Sequence, residues 1–203
     1  MAGAPFRIKY PKIVGIRLTG RLKPWVSAKD VILEVLRLVD VKGNVGKVFE
    51  YFGEGVKTLS VPDRATITNM GTETGCTTSI FPSDEITYNF LKAQGREKDF
   101  RPLEAEHDAV YDEVIEIDLS QIEPMVALPH SPGSVKRVRE VGPVKVDQVA
   151  IGSCTNSSLR DLKTVAKILD NNTIADNLHV FISPGSRQVV EHLVEDGDYV
   201  KLV

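Results

Sequence analysis

Cysteine is scarce in this chain of 203 residues: only Cys76 and Cys154 are present. Two thiols do not make the disulfide framework of a small secreted domain, so a reducing, cytoplasmic compartment is expected. Histidine is scarce as well. His107, His130, His179 and His192 show no metal-ligand spacing, and no serine stands in a nucleophile elbow. Nothing therefore points to a zinc site or a Ser-His-Asp triad. There is no excess of positive charge either: 25 Lys and Arg stand against 28 Asp and Glu, a net charge of -3. Without a basic field, a nucleic-acid partner is not expected. No apolar run approaches the length of a membrane span, and Met1-Ala-Gly-Ala-Pro-Phe6 is not a secretory leader, so no membrane partner is expected. Internal repeats and low-complexity tracts are lacking too.

What is present is ordinary for a globular protein, with 42% hydrophobic and 26% charged residues. The length suits one large domain or two small ones. Val14, Ile16 and Leu18 alternate as in a strand with one buried face. Ser27 and Asp30 have the spacing of a helix capping box, and Val31, Ile32, Val35, Leu36 and Val39 follow at helical spacing. Lys47–Phe52 reads as a further strand, closed by the turn glycines Gly53 and Gly55; no phosphate-loop lysine accompanies them.

Ala65 to Pro82 is dense in Thr, Ser, Gly and Asn, with Ile67, Met70, Ile80 and Phe81 interspersed. Such small residues suit close packing around a ligand or between helices. Glu73 is the one carboxylate between Ala65 and Ser83. A carboxylate in semi-polar surroundings is suited to proton transfer, whereas a surface glutamate on a polar helix is the plainer alternative. Ser83-Asp84-Glu85 opens another helix, stopped by Gly95, and Arg96–Asp108 reads as a solvated excursion. Ile115, Ile117 and Leu119 alternate with Glu116 and Asp118, which predicts a half-buried strand, antiparallel or at an edge. Pro124, Pro129, Pro132 and Gly133 read as a linker, with a boundary between residues 125 and 145. The first domain is assigned to 1–130 and the second to 131–203.

The second domain carries two strand-turn-helix units. Val149-Ala-Ile151 is a short apolar run expected to be a buried strand. Gly152-Ser-Cys154-Thr-Asn-Ser-Ser158 follows, and then Leu159, Leu162, Val165, Ala166 and Leu169 at helical spacing. Leu178–Ser183 and the helix after Ser186 repeat the pattern, which predicts a parallel sheet. Ligands of such sheets sit at the carboxyl ends of the strands, where Cys154 and Ser183-Pro-Gly-Ser186 both fall. A thiol in a turn beside a helix N-terminus ionises more readily, as nucleophilic and metal-ligand chemistry both require. A buried cysteine acting as a small hydrophobe is the alternative.

Taken together, Gly152-Ser-Cys154-Thr-Asn-Ser-Ser158 and Ala65-Thr-Ile-Thr-Asn69-Met-Gly-Thr-Glu73-Thr-Gly-Cys-Thr-Thr-Ser-Ile-Phe-Pro82 resemble the aconitase superfamily. That group includes aconitate hydratase, homoaconitase and the large subunit of 3-isopropylmalate dehydratase. Leu18-Thr-Gly-Arg-Leu22, Ala28-Lys-Asp-Val-Ile-Leu33 and Gly53-Glu-Gly-Val56-Lys-Thr-Leu59-Ser60 support the resemblance, and the two main phrases are most similar to the aconitate hydratase branch. The resemblance implies an α/β protein of the three-layer α/β/α iron-sulfur domain type, with two subdomains, the second incomplete. It also implies a lyase whose [4Fe-4S] cluster, held by three cysteines, leaves one iron to act as a Lewis acid on a hydroxy acid. The reaction implied interconverts citrate and isocitrate through cis-aconitate, as in the tricarboxylic acid cycle.

By this resemblance Cys154 is a cluster ligand, Glu73 the active-site carboxylate and Asn69 a residue beside the cluster, while Cys76 is packing. The superfamily's Cys-x-x-Cys, its Asp-Ser-His and its substrate-binding arginines are not found here. The expectation is therefore an internal fragment of such an enzyme. Alone it would be inactive and without a cluster, would need the missing N- and C-terminal parts as partners, and would be prone to self-association through an exposed sheet edge. A cysteine nucleophile and a non-catalytic RNA-binding role are the competing readings.

Overall fold

Val14, Ile16 and Leu18 are almost fully buried, and they lie on the inner strand of the first sheet. In a computed structural model that describes residues 9–203, β1 is Lys12–Thr19, α1 Ala28–Val39, β2 Lys47–Phe52, α2 Val61–Gly71, β3 Thr78–Ile80, α3 Glu85–Ala93 and β4 Glu113–Asp118. The sheet order is β3-β2-β1-β4 and every pairing is parallel. Val14 pairs with Phe49 and Ile16 with Tyr51, so the large side chains of β1 and β2 share one face. Val31, Ile32, Val35 and Leu36 of α1 and Ile67 of α2 join them in one core. Of the two expectations for β4, antiparallel or at an edge, the second holds: β4 is an edge strand, and it runs parallel to β1. Its alternation reports one buried face, a pattern that does not fix strand direction.

The linker expected around Pro124–Gly133 is a hairpin instead. Here β5 (Met125–Ala127) pairs antiparallel with β6 (Val135–Arg137). The hairpin is tied to α1 through Asp30, whose Oδ1 accepts the Met125 N–H at 2.7 Å while Oδ2 accepts the Ser27 N–H at 2.7 Å. Residues 131–140 therefore belong with the first compact unit, which reaches to Glu140, and the second unit is Val141–Val203.

In the second unit β7 (Gln148–Gly152) and β8 (His179–Ser183) pair in parallel, followed by α4 (Leu159–Leu169) and α5 (Arg187–Glu195) respectively. Leu162, Ala166 and Leu193 are buried. The expected buried strand is corrected here too. Val149 and Ile151 are half-buried, whereas Ala150 and its partner Phe181 are exposed, because within this unit helices cover one face of a two-stranded sheet. Among the described residues no helix is long and apolar enough to cross a membrane.

Candidate functional site

The density of small residues after Arg64 has a local cause. Ser60 caps α2 by accepting the Asp63 N–H, and Asp63 Oδ2 accepts the Ser60 N–H at 3.0 Å. Eleven residues after Ser60, Gly71 faces β3, where a Cβ would stand 2.6 Å from Ser79 Oγ. Only glycine lets helix and strand approach so closely. The chain then tightens into a 3-10 turn over Thr72–Thr74 and leaves it at Gly75, φ 76°. Thr72 Oγ1 donates to the Asn69 carbonyl and Thr74 Oγ1 to the Gly71 carbonyl, satisfying acceptors that a helix end leaves open. Thr74 is fully buried, and its carbonyl accepts the Asn44 Nδ2–H at 3.0 Å.

With Thr74 anchored inward, Glu73 stands exposed, and Asn69, four residues earlier, is half-buried. Cys76 turns inward: its Sγ lies 3.5 Å from the Gly71 carbonyl and 3.4 Å from that of Thr78, and the side chain packs on the core. Because α2 runs back along the sheet before β3, Glu73 lies at the amino ends of these strands. The Thr77 N–H bonded to the carbonyl of Lys47, the first residue of β2, marks that position.

The Cys154 turn is built in the same economical way. Gly152 ends β7 opposite Ser183, and a Cβ there would meet Ser183 O at 2.6 Å. Ser153 takes a left-handed φ of 63°, and Asn156 N–H closes the turn on Gly152 O at 3.2 Å. Ser157 is buried and its hydroxyl donates to the Ser153 carbonyl. The loop after β8 packs on this turn, with Gly185 N–H donating to Ser157 O at 3.3 Å. Cys154 and Ser183–Ser186 thus lie at the same end of the second sheet, and Cys154 is exposed there. The helix end is less open than the sequence implies. Ser158, four residues beyond Cys154, and Asp161 form a capping box that takes up their own two N–H groups at the start of α4.

Each sequence-predicted residue lies within one unit: Asn69 and Glu73 in the first, Cys154 in the second. Among the described residues no group of three or more His, Cys, Asp or Glu is placed to hold a metal ion. The described residues do not make a complete donor set for a [4Fe-4S] cluster, since Cys76 faces the core. Of the two cysteines, Cys154 alone is exposed.

Sequence reasoning missed Arg64 and Asp84. Burial pushes the Asp84 carboxyl up, but hydrogen bonds and charge from Arg64, with the Thr87 and Ile86 N–H groups, outweigh that and hold it below the usual range. No local pattern marks partners twenty residues apart. Asp84 reads as a helix-start acid, and the structure makes it the N-cap of α3 as well as an ion-pair partner.

The model of the aconitase family (aconitate hydratase) matches residues 1–144 and 136–203. The 3-isopropylmalate dehydratase large subunit of Lachnoclostridium phytofermentans is 41% identical over 189 residues, covering 93% of this chain and 45% of that protein. The mitochondrial aconitate hydratase of Saccharomyces cerevisiae is 41% identical over 216 residues, covering 97% and 28%. The mitochondrial homocitrate dehydratase of the same yeast is 42% identical over 218 residues, again covering 97% and 28%. The chain spans less than half the length of these relatives.

Proposed function

We propose, for a chain that belongs to the aconitase family, that it forms part of a hydro-lyase that removes water from a hydroxy acid and adds it back. The observation that supports this reading is the opposite orientation of neighbouring side chains in the two motifs. Glu73 and Cys154 are exposed, while Thr74, Cys76 and Ser157 turn inward and fix the turns that carry them. In this reading Glu73 gives a proton to the hydroxyl so that it leaves as water, and takes one back from the incoming water on hydration, while a base outside these 203 residues removes and returns the carbon-bound proton; a positioned carboxylate in that role is worth roughly 10²–10⁴ in rate. Asn69 orients the same group, and Cys154 is one thiolate donor to the family's cluster. A single donor does not retain a cluster, so these 203 residues alone are expected to be inactive.

The first reading of the substrate is citrate and isocitrate, supported by the Thr-Thr-Ser-Ile-Phe-Pro and Ser-Cys-Thr-Asn-Ser-Ser phrases. A second reading, 3-isopropylmalate, is favoured by alignment length. With the L. phytofermentans large subunit, 189 aligned positions cover 93% of this chain; with the yeast aconitate hydratase, 216 positions are needed to cover 97%.

Protein purified from its native source without oxygen, and supplied with iron and sulfide, is expected to hydrate cis-aconitate or 2-isopropylmaleate, and the preferred substrate separates the two readings. Turnover of neither these nor cis-homoaconitate would overturn the hydro-lyase. Turnover by the 203 residues alone would overturn the partial-site reading. In the native-source protein Glu73→Gln should lower turnover by roughly 10²–10⁴ while the visible spectrum stays unchanged.

A further inference from the structure

Trp25 is the chain's only tryptophan, and it is 84% exposed. It stands third in a turn closed by the Val26 N–H on the Lys23 carbonyl, after Pro24, with φ 68°. That position of a turn takes glycine by preference, and a bulky residue there is strained. Strain of this kind persists where the residue serves a purpose outside the fold. Arg21 and Lys23, four and two positions before it, are exposed as well.

The same unit carries a complementary feature on the sheet face turned away from α1. Phe52 and Tyr111 stack at 5.0 Å over Gly15, where a Cβ would stand 2.8 Å from the Tyr111 ring. They form the apolar wall of a cavity of about 460 Å³ whose rim carries Glu50, Glu104 and Glu106. Its one lysine or arginine is Lys57. An aromatic knob with two cations thus meets, on the same molecule, an aromatic-walled slot with carboxylates. Trp25 follows the end of β1, and Gly53 and Glu54, just beyond the end of β2, line the cavity.

We propose that Trp25 of one copy seats in this cavity of a second copy, and reciprocally, in a two-fold dimer. A contact of this kind is self-complementary: each subunit offers both knob and slot. The indole gains aromatic contact with Phe52 and Tyr111, and Arg21 and Lys23 meet Glu104 and Glu106. Two tryptophans bury about 150–250 Å² each, so the contact falls short of the ~1,200 Å² of a stable interface and the dimer is weak.

The test uses the single tryptophan as its own reporter. Emission wavelength and sedimentation are followed from about 1 μM to about 1 mM, the range of weak association. The expected result is a blue shift that rises together with mass and weakens in salt. Trp25→Gly, whose backbone suits the turn, should sediment as a monomer throughout. Lys23→Glu should weaken association about tenfold or more, and adding Glu106→Lys should restore it. Emission that does not move with concentration would overturn the dimer, and so would association that persists in Trp25→Gly, as pairing through a strand edge would.

Discussion

Arg64 and Asp84 form a forked ion pair in which Nη2 and Nη1 donate to the two carboxylate oxygens at 2.7 and 2.9 Å. The Arg64 side chain is only 5% exposed. It also donates to the carbonyls of Val56 and Pro82, while its buried Nε has no partner among the described residues. Asp84 at the same time accepts the Ile86 and Thr87 N–H groups as the cap of α3. The Arg64–Asp84 pair therefore joins α2, α3 and the turn after β2.

Asp84→Ala should destabilise the first unit by about 3 kcal/mol, because it leaves a buried guanidinium uncompensated. The melting temperature should fall by roughly 10 °C. The pH dependence follows from the direction of the shift. The folded carboxyl titrates below its unfolded value of about 3.9, so its contribution is complete above that value and is lost as pH falls through the folded one. Thermal melts from neutral to acid pH should show a shallower acid limb in Asp84→Asn than in the parent.

Trp25→Gly should stabilise the dilute, monomeric protein. A left-handed backbone costs an L-residue about 1–2 kcal/mol, while glycine costs about 0.5–1 kcal/mol in unfolded-chain entropy. The first effect wins, for a net gain of about 0.5–1 kcal/mol that urea unfolding will register. Loss of stability in this variant would show that the exposed indole has contacts beyond its turn.

The two cysteines should react at very different rates. Cys154 is exposed and Cys76 packs on the core. Native alkylation should consume one thiol quickly, mapped to Cys154 by peptide mass, and the second only on unfolding. Equal rates would mean that the turn after Gly71 opens readily.

Amide exchange should distinguish the two units. β1 lies between two paired strands and its inward residues are nearly sealed from solvent, whereas Ala150 and Phe181 of the β7–β8 pair are exposed. Amides of β7 and β8 should exchange faster than those of β1 and β2. Uniform protection would contradict this.

Much of the architecture is legible in residue spacing, for a physical reason. β1 and α1 are amphipathic, and a period of two or of 3.6 reports which residues meet the core. Strand direction carries no such mark, which is why the alternation of β4 leaves an antiparallel strand and the observed parallel edge strand equally open. Pro124 to Gly133 register correctly as breakers of regular structure, but their arrangement as a hairpin depends on Asp30, almost a hundred residues away. At the candidate site the motifs are visible as unusual composition. The role of each member is not, because whether a threonine caps a turn or faces solvent is decided by its neighbours. Thr74 and Glu73 are adjacent, yet the first is sealed and the second is open.

The capping boxes at Ser27–Asp30, Ser60–Asp63 and Ser158–Asp161 have a consequence for synthesis. Each closes its hydrogen bonds within four residues and needs no distant partner. A helix start can therefore be set on the nascent chain as soon as its first turn clears the ribosome. α1 is then framed before β2, the strand that pairs with β1, has been translated, and the all-parallel sheet is assembled from pieces whose beginnings are already marked.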